Sequence, residues 1–256
     1  MTTDADLQCG DIELEGRIMP ASNATFVGSI GAVKIVYKPV AGEQPLWDFP
    51  DGNLARREVA AYLVSEVLGW DVVPRTWLRD GPMGPGMVQL WQDVDPTQDA
   101  VDLVPSDAVP EHGWRHVFDG FDAHDRPVSL IHEDSPELRR MAVFDVITNN
   151  ADRKGGHVLE MPGGHRYGID HGLTFHAEHK LRTVLWGWVD EPLTPYELEG
   201  VERVRAALAG ELGSVLGDLL TEWEISAFAA RCDAMLRKPR FPRPRGHMPA
   251  IPWPPF

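Results

Sequence analysis

The chain has 256 residues, 43% of them hydrophobic and 25% charged, enough to bury a substantial core as one domain or as two joined lobes. Its net charge of −15 disfavours nucleic acid and anionic lipid as partners, and no apolar run approaches the ~20 residues that a membrane span needs. Cys9 and Cys232 fit neither a metal motif nor a disulfide framework, and the polar start Met1–Asp6 lacks the parts of a signal peptide, so a cytoplasmic location is expected.

In chain order, residues 11–40 alternate apolar and polar side chains, punctuated by Gly16, Gly28 and Gly31. Lys34–Pro39 is predicted to be a strand, with Val33, Ile35 and Tyr37 facing one way and Pro39 ending it. Residues 41–52 contain Pro45, Pro50 and Gly52 and read as a loop. From Asn53 to Leu68 apolar residues recur at three- and four-residue steps, which predicts a helix capped by Gly69. Val72–Leu78 and Met87–Trp91 read as strands around the turn-rich stretch 80–86. Residues 93–113 carry six acids and three prolines but no Lys or Arg, and are expected to link two lobes. His116–Phe121 and Pro127–His132 then form an expected hairpin.

The remainder reads as mainly helical. Ser135-Pro136-Glu137 opens a helix, with Ser as its cap and Pro in the first position, that ends near Asn149. Thr194 with Glu197 and Thr221 with Glu224 match capping boxes and start two more helices. The last 18 residues hold seven prolines, which predicts an extended arm. Lys238, Arg240, Arg243 and Arg245 lie in or beside that arm and leave −19 on the rest, so it is expected to dock on its own acidic domain, anchored by Trp253 and Phe256.

The chemistry concentrates in Asn149-Asn150-Ala151-Asp152-Arg153-Lys154-Gly155-Gly156-His157 and in Tyr167-Gly168-Ile169-Asp170-His171-Gly172. One carboxylate follows a helix and the other ends a short apolar strand, the order that phosphoryl transfer uses to align an attacking hydroxyl and to hold a metal ion on phosphates. Asp152 is the candidate base, with a turn-capping role as its alternative. Asp170 is the candidate metal ligand, with a buried hydrogen-bonded role as its alternative. His157 stands where a kinase loop carries a metal-binding Asn. Magnesium prefers oxygen, which leaves His157 open between binding a softer ion, touching phosphate and packing. Upstream, Lys38 on a strand and Glu58 on the next helix have the order of a phosphate-clamping Lys and the Glu that orients it. There is no GxGxxG. Ser22, Asn23 and Thr25 in the turn Pro20–Gly28 are the candidate phosphate contacts, and Gln89, Leu90 and Trp91, just before the acidic linker, are the candidate purine contacts.

These two segments resemble phosphatidylinositol 3- and 4-kinases. Asp152-Arg153-Lys154-Gly155-Gly156-His157 is similar to their Asp-Arg-x-x-x-Asn loop, and Ile169-Asp170-His171-Gly172-Leu173-Thr174-Phe175 to the metal segment of the type II 4-kinases. The likeness extends loosely to HipA-type kinases and is greatest to small bacterial proteins related to phosphatidylinositol kinases. It implies an α+β, bilobal, protein-kinase-like fold of the phosphatidylinositol 3-/4-kinase type, with a β-rich N-lobe (1–92), a linker (93–113), a mainly helical C-lobe (114–238) and a Pro-rich arm (239–256). It implies Asp152 as base, Asp170 as metal ligand, Lys38 as clamp and Glu58 as its partner, acting on ATP with Mg2+ or Mn2+. His157 departs from the pattern. The acceptor is expected to be a hydroxyl on a protein, on the chain itself or on a small molecule; an anionic body without a polybasic face argues against a lipid.

Two other readings remain open at this point. One is a pseudokinase-like nucleotide-binding module, motivated by His157 and the atypical phosphate turn. The other is a His/Asp metallohydrolase, since nine of ten histidines lie between His112 and His179, although no HExxH or HxH spacing occurs.

Overall fold

A computed structural model describes residues 3–19, 23–44, 46, 49, 53–246 and 249–256. Short helix α1 (Asp4–Cys9) precedes strands β1 (Ile12–Arg17), β2 (Phe26–Ile30) and β3 (Val33–Pro39). Helix α2 (Leu54–Leu68) and strands β4 (Thr76–Gly81) and β5 (Gly84–Leu90) follow. The five strands form one antiparallel sheet in the order β1-β2-β3-β5-β4. Alternation drives it: Ile35 and Tyr37 are fully buried on one face of β3 and pack with Ile30, Trp77 and Val88.

Helix α2 is apolar on more than one side, as a helix buried between two layers should be. Ala55 and Val59 meet Met87 of β5, while Ala60, Ala61, Val64 and Leu68 enter the large core of the later helices. Gly69 closes it in the left-handed conformation (φ 65°) that glycine adopts without strain. The strand expected from Val72 begins only at Thr76. Val72 and Val73 belong to the large core instead, and Ser65 Oγ accepts both of their N–H groups at 2.8 and 3.0 Å, replacing a strand ladder.

The acidic stretch 93–113 is not wholly irregular. Val101–Pro105 is strand β6, which joins β7 (Trp114–Phe121) and β8 (Pro127–Glu133) in the order β6-β8-β7. Its one acid, Asp102, stands between Val101 and Leu103, and Ala100 and Val101 sink into the large core. A sheet thus precedes the later helices.

Helix α3 (Pro136–Thr148) starts on Ser135, whose Oγ accepts from Leu138 N. The short hairpin β9 (Val158–Glu160) and β10 (Arg166–Gly168) follows. Helices α4 (Pro195–Ala207) and α6 (Glu222–Arg237) both carry the expected capping boxes, whereas α5 (Glu211–Gly217) starts on Gly210 with no capping side chain and gave no sequence signal. The large core gathers Leu138, Phe144, Phe175, Trp188 and Phe228. Among the described residues, no helix is long and apolar enough to cross a membrane, and both cysteines are free.

Residues after α6 lie along the body. Phe241 exchanges backbone hydrogen bonds with Asp190 and Glu191, Ala250 O accepts from Thr183 N and Trp186 Nε1, and Pro255 O accepts from Gly155 N at 2.8 Å. Phe241 is buried and Phe256 lies against Gly155, where a Cβ would overlap its ring. Trp253, expected as an anchor, is instead 75% exposed.

Candidate active site

Strand β3 and helix α2 bring Lys38 and Glu58 together, and the turn after β10 brings Asp170 to both. Lys38 Nζ lies 2.6 Å from Glu58 Oε1 and 2.8 Å from Asp170 Oδ1. Glu58 is buried, and its second oxygen accepts from His171 N at 2.8 Å. One carboxylate thus holds both the amine and the backbone beside Asp170. Burial opposes the charged amine, but the carboxylates of Asp170 and Glu58 outweigh it and raise the Lys38 pKa above its usual value. In turn, the Lys38 ammonium holds Asp170 well below the usual carboxylate range. Asp170 itself adopts the left-handed conformation (φ 61°), a conformation that a short polar residue tolerates better than a bulky one.

The loop after α3 carries Asp152 and His157. Asn149 ends the helix in the left-handed conformation, and its side chain ties the loop to residues 176–180 through His176 O, Glu178 O and Lys180 N. Asn150 Oδ1 accepts from Asp152 N at 3.0 Å, an Asx turn that sets the start of the loop. Asp152 is partly buried, 3.4 Å from Lys154 Nζ. Burial raises its pKa, against the charges of Lys154 and His157. His157 Nδ1 meets the Asp152 carbonyl at 2.9 Å and its Nε2 lies 3.3 Å from Asp170 Oδ2. Burial lowers the His157 pKa, opposed by Asp170.

Arg153, to which the sequence motif assigns no role, ties these pieces together. It is fully buried and paired with fully buried Asp145 of α3 at 2.9 Å. Its remaining donors reach His157 O (3.1 Å), Ile169 O (3.2 Å) and His171 Nε2 (2.7 Å). A single guanidinium therefore fixes the Asp152 loop against the Asp170 segment. Arg57, next to Glu58, extends the network by donating to Thr174 O and to Glu224 of α6. The Asp-Arg pair in the motif was the available signal for Arg153; its partner Asp145, mid-helix among apolar residues, offered none.

The other expected contacts, where they fall on described residues, have partners within the sheet and its turns. Ser22 lies outside the described residues. Asn23 Oδ1 accepts from Gln44 N, and the hydroxyl of buried Thr25 donates to Asn23 O. Gln89 is buried with its amide donating to Thr76 Oγ1, and Leu90 packs on the sheet core. Trp91 donates from Nε1 to Asp93, with Lys34 Nζ 4.1 Å from its ring centroid. The hydrogen bonds that Asn23, Thr25, Gln89 and Trp91 make go to partners other than Lys38, Glu58, Asp152, His157 and Asp170. Among the described residues, no three His, Cys, Asp or Glu side chains gather in a group that could hold a metal ion.

A protein of Mycobacterium tuberculosis, Protein Rv2133c, is 49% identical over 265 residues, an alignment spanning 98% of this chain and 95% of the relative. The chain belongs to the same family as Protein Rv2133c. No family model matches the chain. Among solved structures, a Helicobacter pylori proinflammatory kinase, CtkA, aligns with a TM-score of 0.48 and 12% identity, covering 92% of this chain and 94% of that one.

Proposed function

We propose that the chain is an ATP-dependent phosphotransferase of the phosphatidylinositol 3-/4-kinase-like type. Its first sheet and α2 hold the nucleotide, and the α3–β9 loop receives a hydroxyl acceptor on a protein, on the chain itself or on a small molecule. The observation that carries this reading is Lys38 Nζ held between Glu58 at 2.6 Å and Asp170 at 2.8 Å. A partly buried amine pinned by one carboxylate beside a second, half-exposed one suits a group that passes from carboxylate to phosphate when a nucleotide enters.

Each residue then has a stated task. Lys38 neutralises phosphate charge, and Glu58 keeps it aimed while bracing the backbone at His171. Asp152, on a loop fixed by Asn150 and Arg153, takes the acceptor's proton. Asp170, half-exposed with Oδ2 not engaged by Lys38, fits a divalent ion as an oxygen donor. Such an ion, Mg2+ or Mn2+, would neutralise the charge on the phosphates.

Calorimetry of ATP binding with metal, together with transfer from γ-labelled ATP, tests the proposal. Asp170→Ala is expected to abolish metal-dependent ATP binding, and Asp152→Asn to lower transfer at least about a hundredfold while ATP still binds. Unchanged ATP binding in Asp170→Ala would refute it. ATP binding without any transfer by the wild type would favour the non-catalytic module.

A further inference from the structure

His157 replaces an oxygen donor with an imidazole, and its surroundings dictate how it can act. Its Nδ1 faces the Asp152 carbonyl at 2.9 Å. A carbonyl only accepts, so Nδ1 carries the proton and, in the neutral ring, Nε2 presents a lone pair. That lone pair lies 3.3 Å from Asp170 Oδ2. Lys38 already engages the other carboxylate oxygen, Oδ1, at 2.8 Å. Two lone-pair donors therefore face each other across a gap wider than the ~2.7–2.9 Å of a charge-assisted hydrogen bond. The gap is close to the ~3.0 Å that separates adjacent ligands bound at ~2.1 Å to one octahedral ion. The imidazole cannot swing away freely, because its side chain is only 16% exposed and Nδ1 is tied to the loop it serves.

We propose that His157 Nε2 and Asp170 Oδ2 form a mixed nitrogen–oxygen site that selects a first-row transition ion such as Mn2+ over Mg2+. Mg2+ is hard and loses water reluctantly, so a site offering one carboxylate oxygen and one imidazole serves it poorly. A first-row ion accepts both donors, and phosphate oxygens or water complete its shell. Both donors are held in place: the Asp152 carbonyl fixes the tautomer of His157, and Lys38 fixes the rotation of Asp170. This inference rests on the phosphotransferase reading for the phosphate oxygens alone.

The test is pulsed electron paramagnetic resonance of Mn2+ added to the full chain with inorganic triphosphate, a probe that contains no nitrogen. The wild type is expected to show nitrogen modulation from a directly bound imidazole, and His157→Asn to lose it while Mn2+ remains bound through Asp170. In calorimetry, the ratio of Mn2+ to Mg2+ affinity is expected to fall about tenfold or more in His157→Asn, since even the hydrogen-bond partners of a metal ligand are worth about 10–100-fold. Bound Mn2+ without nitrogen modulation in the wild type overturns the role of His157 and leaves the phosphotransferase proposal standing. Failure of the wild type to bind Mn2+ with triphosphate overturns both. Absence of the modulation in the wild-type spectrum refutes the role of His157 however well the variant folds, and its loss in His157→Asn assigns the nitrogen to that residue.

Discussion

Replacing Arg153 separates what holds this site together from what folds the chain. Arg153 and Asp145 are both fully buried, and the guanidinium also reaches His157 O, Ile169 O and His171 Nε2. Arg153→Met keeps much of the side-chain volume but leaves the Asp145 charge, among the described residues, with Asn150 Nδ2 (2.9 Å) and Thr183 Oγ1 (3.3 Å) as its side-chain partners. Removing one member of a buried pair costs about 3–5 kcal/mol, a large share of the roughly 5–15 kcal/mol that stabilises a whole domain. Adding Asp145→Asn removes the stranded charge while keeping an acceptor for Asn150, so the double variant should recover about half of that loss. Activity should not recover, because the Asp152 loop and the Asp170 segment remain untied. Urea unfolding at constant slope measures the first quantity, and phosphate transfer at a temperature where all variants are folded measures the second. A single variant within about 1 kcal/mol of wild type, or a double variant no more stable than the single, would refute the reasoning. So would activity that recovers in step with stability.

Two further expectations follow from other parts of the structure. His132 is fully buried, its Nδ1–H donating to Glu133 O at 2.8 Å and its Nε2 accepting from Gly187 N at 2.9 Å, so only the neutral ring satisfies both contacts. Burial pushes its pKa down to about 4, whereas the unfolded chain takes up the proton near ~6.5. The unfolded state therefore binds more protons between those values: the His132 contribution is complete above about pH 6.5 and is lost as pH falls toward 4, on the order of 3 kcal/mol in all. Denaturation from pH 7 to 4.5 should show a shallower loss in His132→Leu than in wild type, and parallel curves would exclude the effect. Truncation after Arg237 removes buried Phe241 and the backbone bonds to Glu191, Thr183 and Gly155. It should lower Tm on the order of 10 °C, and a Tm equal to that of the full chain would show that the arm does not dock.

Local signals were legible where one residue determines its own neighbourhood. Ser135, Thr194 and Thr221 cap their helices as read, Gly69 ends α2, and the alternation in β3 buries Ile35 and Tyr37. Signals failed where a distant group took over the backbone or side chain. Ser65 claims the N–H groups of Val72 and Val73, which delays a strand, and partners across the β6-β8-β7 sheet turn part of an acidic, Pro-containing stretch into β6. Trp253 looked like an anchor by composition, yet the arm buries Phe241 and leaves Trp253 exposed.

By itself, the sequence determined which chemical groups are available: two carboxylates flanking a short hairpin, a histidine five positions after the first, and a strand Lys ahead of a helix Glu. Only the tertiary structure decided that Lys38 and Asp170, 132 positions apart, share an ion pair, that Glu58 braces both, and that the Nε2 of His157 faces Asp170. The physical reason is that residue type and spacing specify backbone conformation over one or two turns, whereas a charged site forms only where packing brings separate elements close enough to offset the cost of desolvating each group. Here α2, buried against both the first sheet and the later helices, supplies that packing.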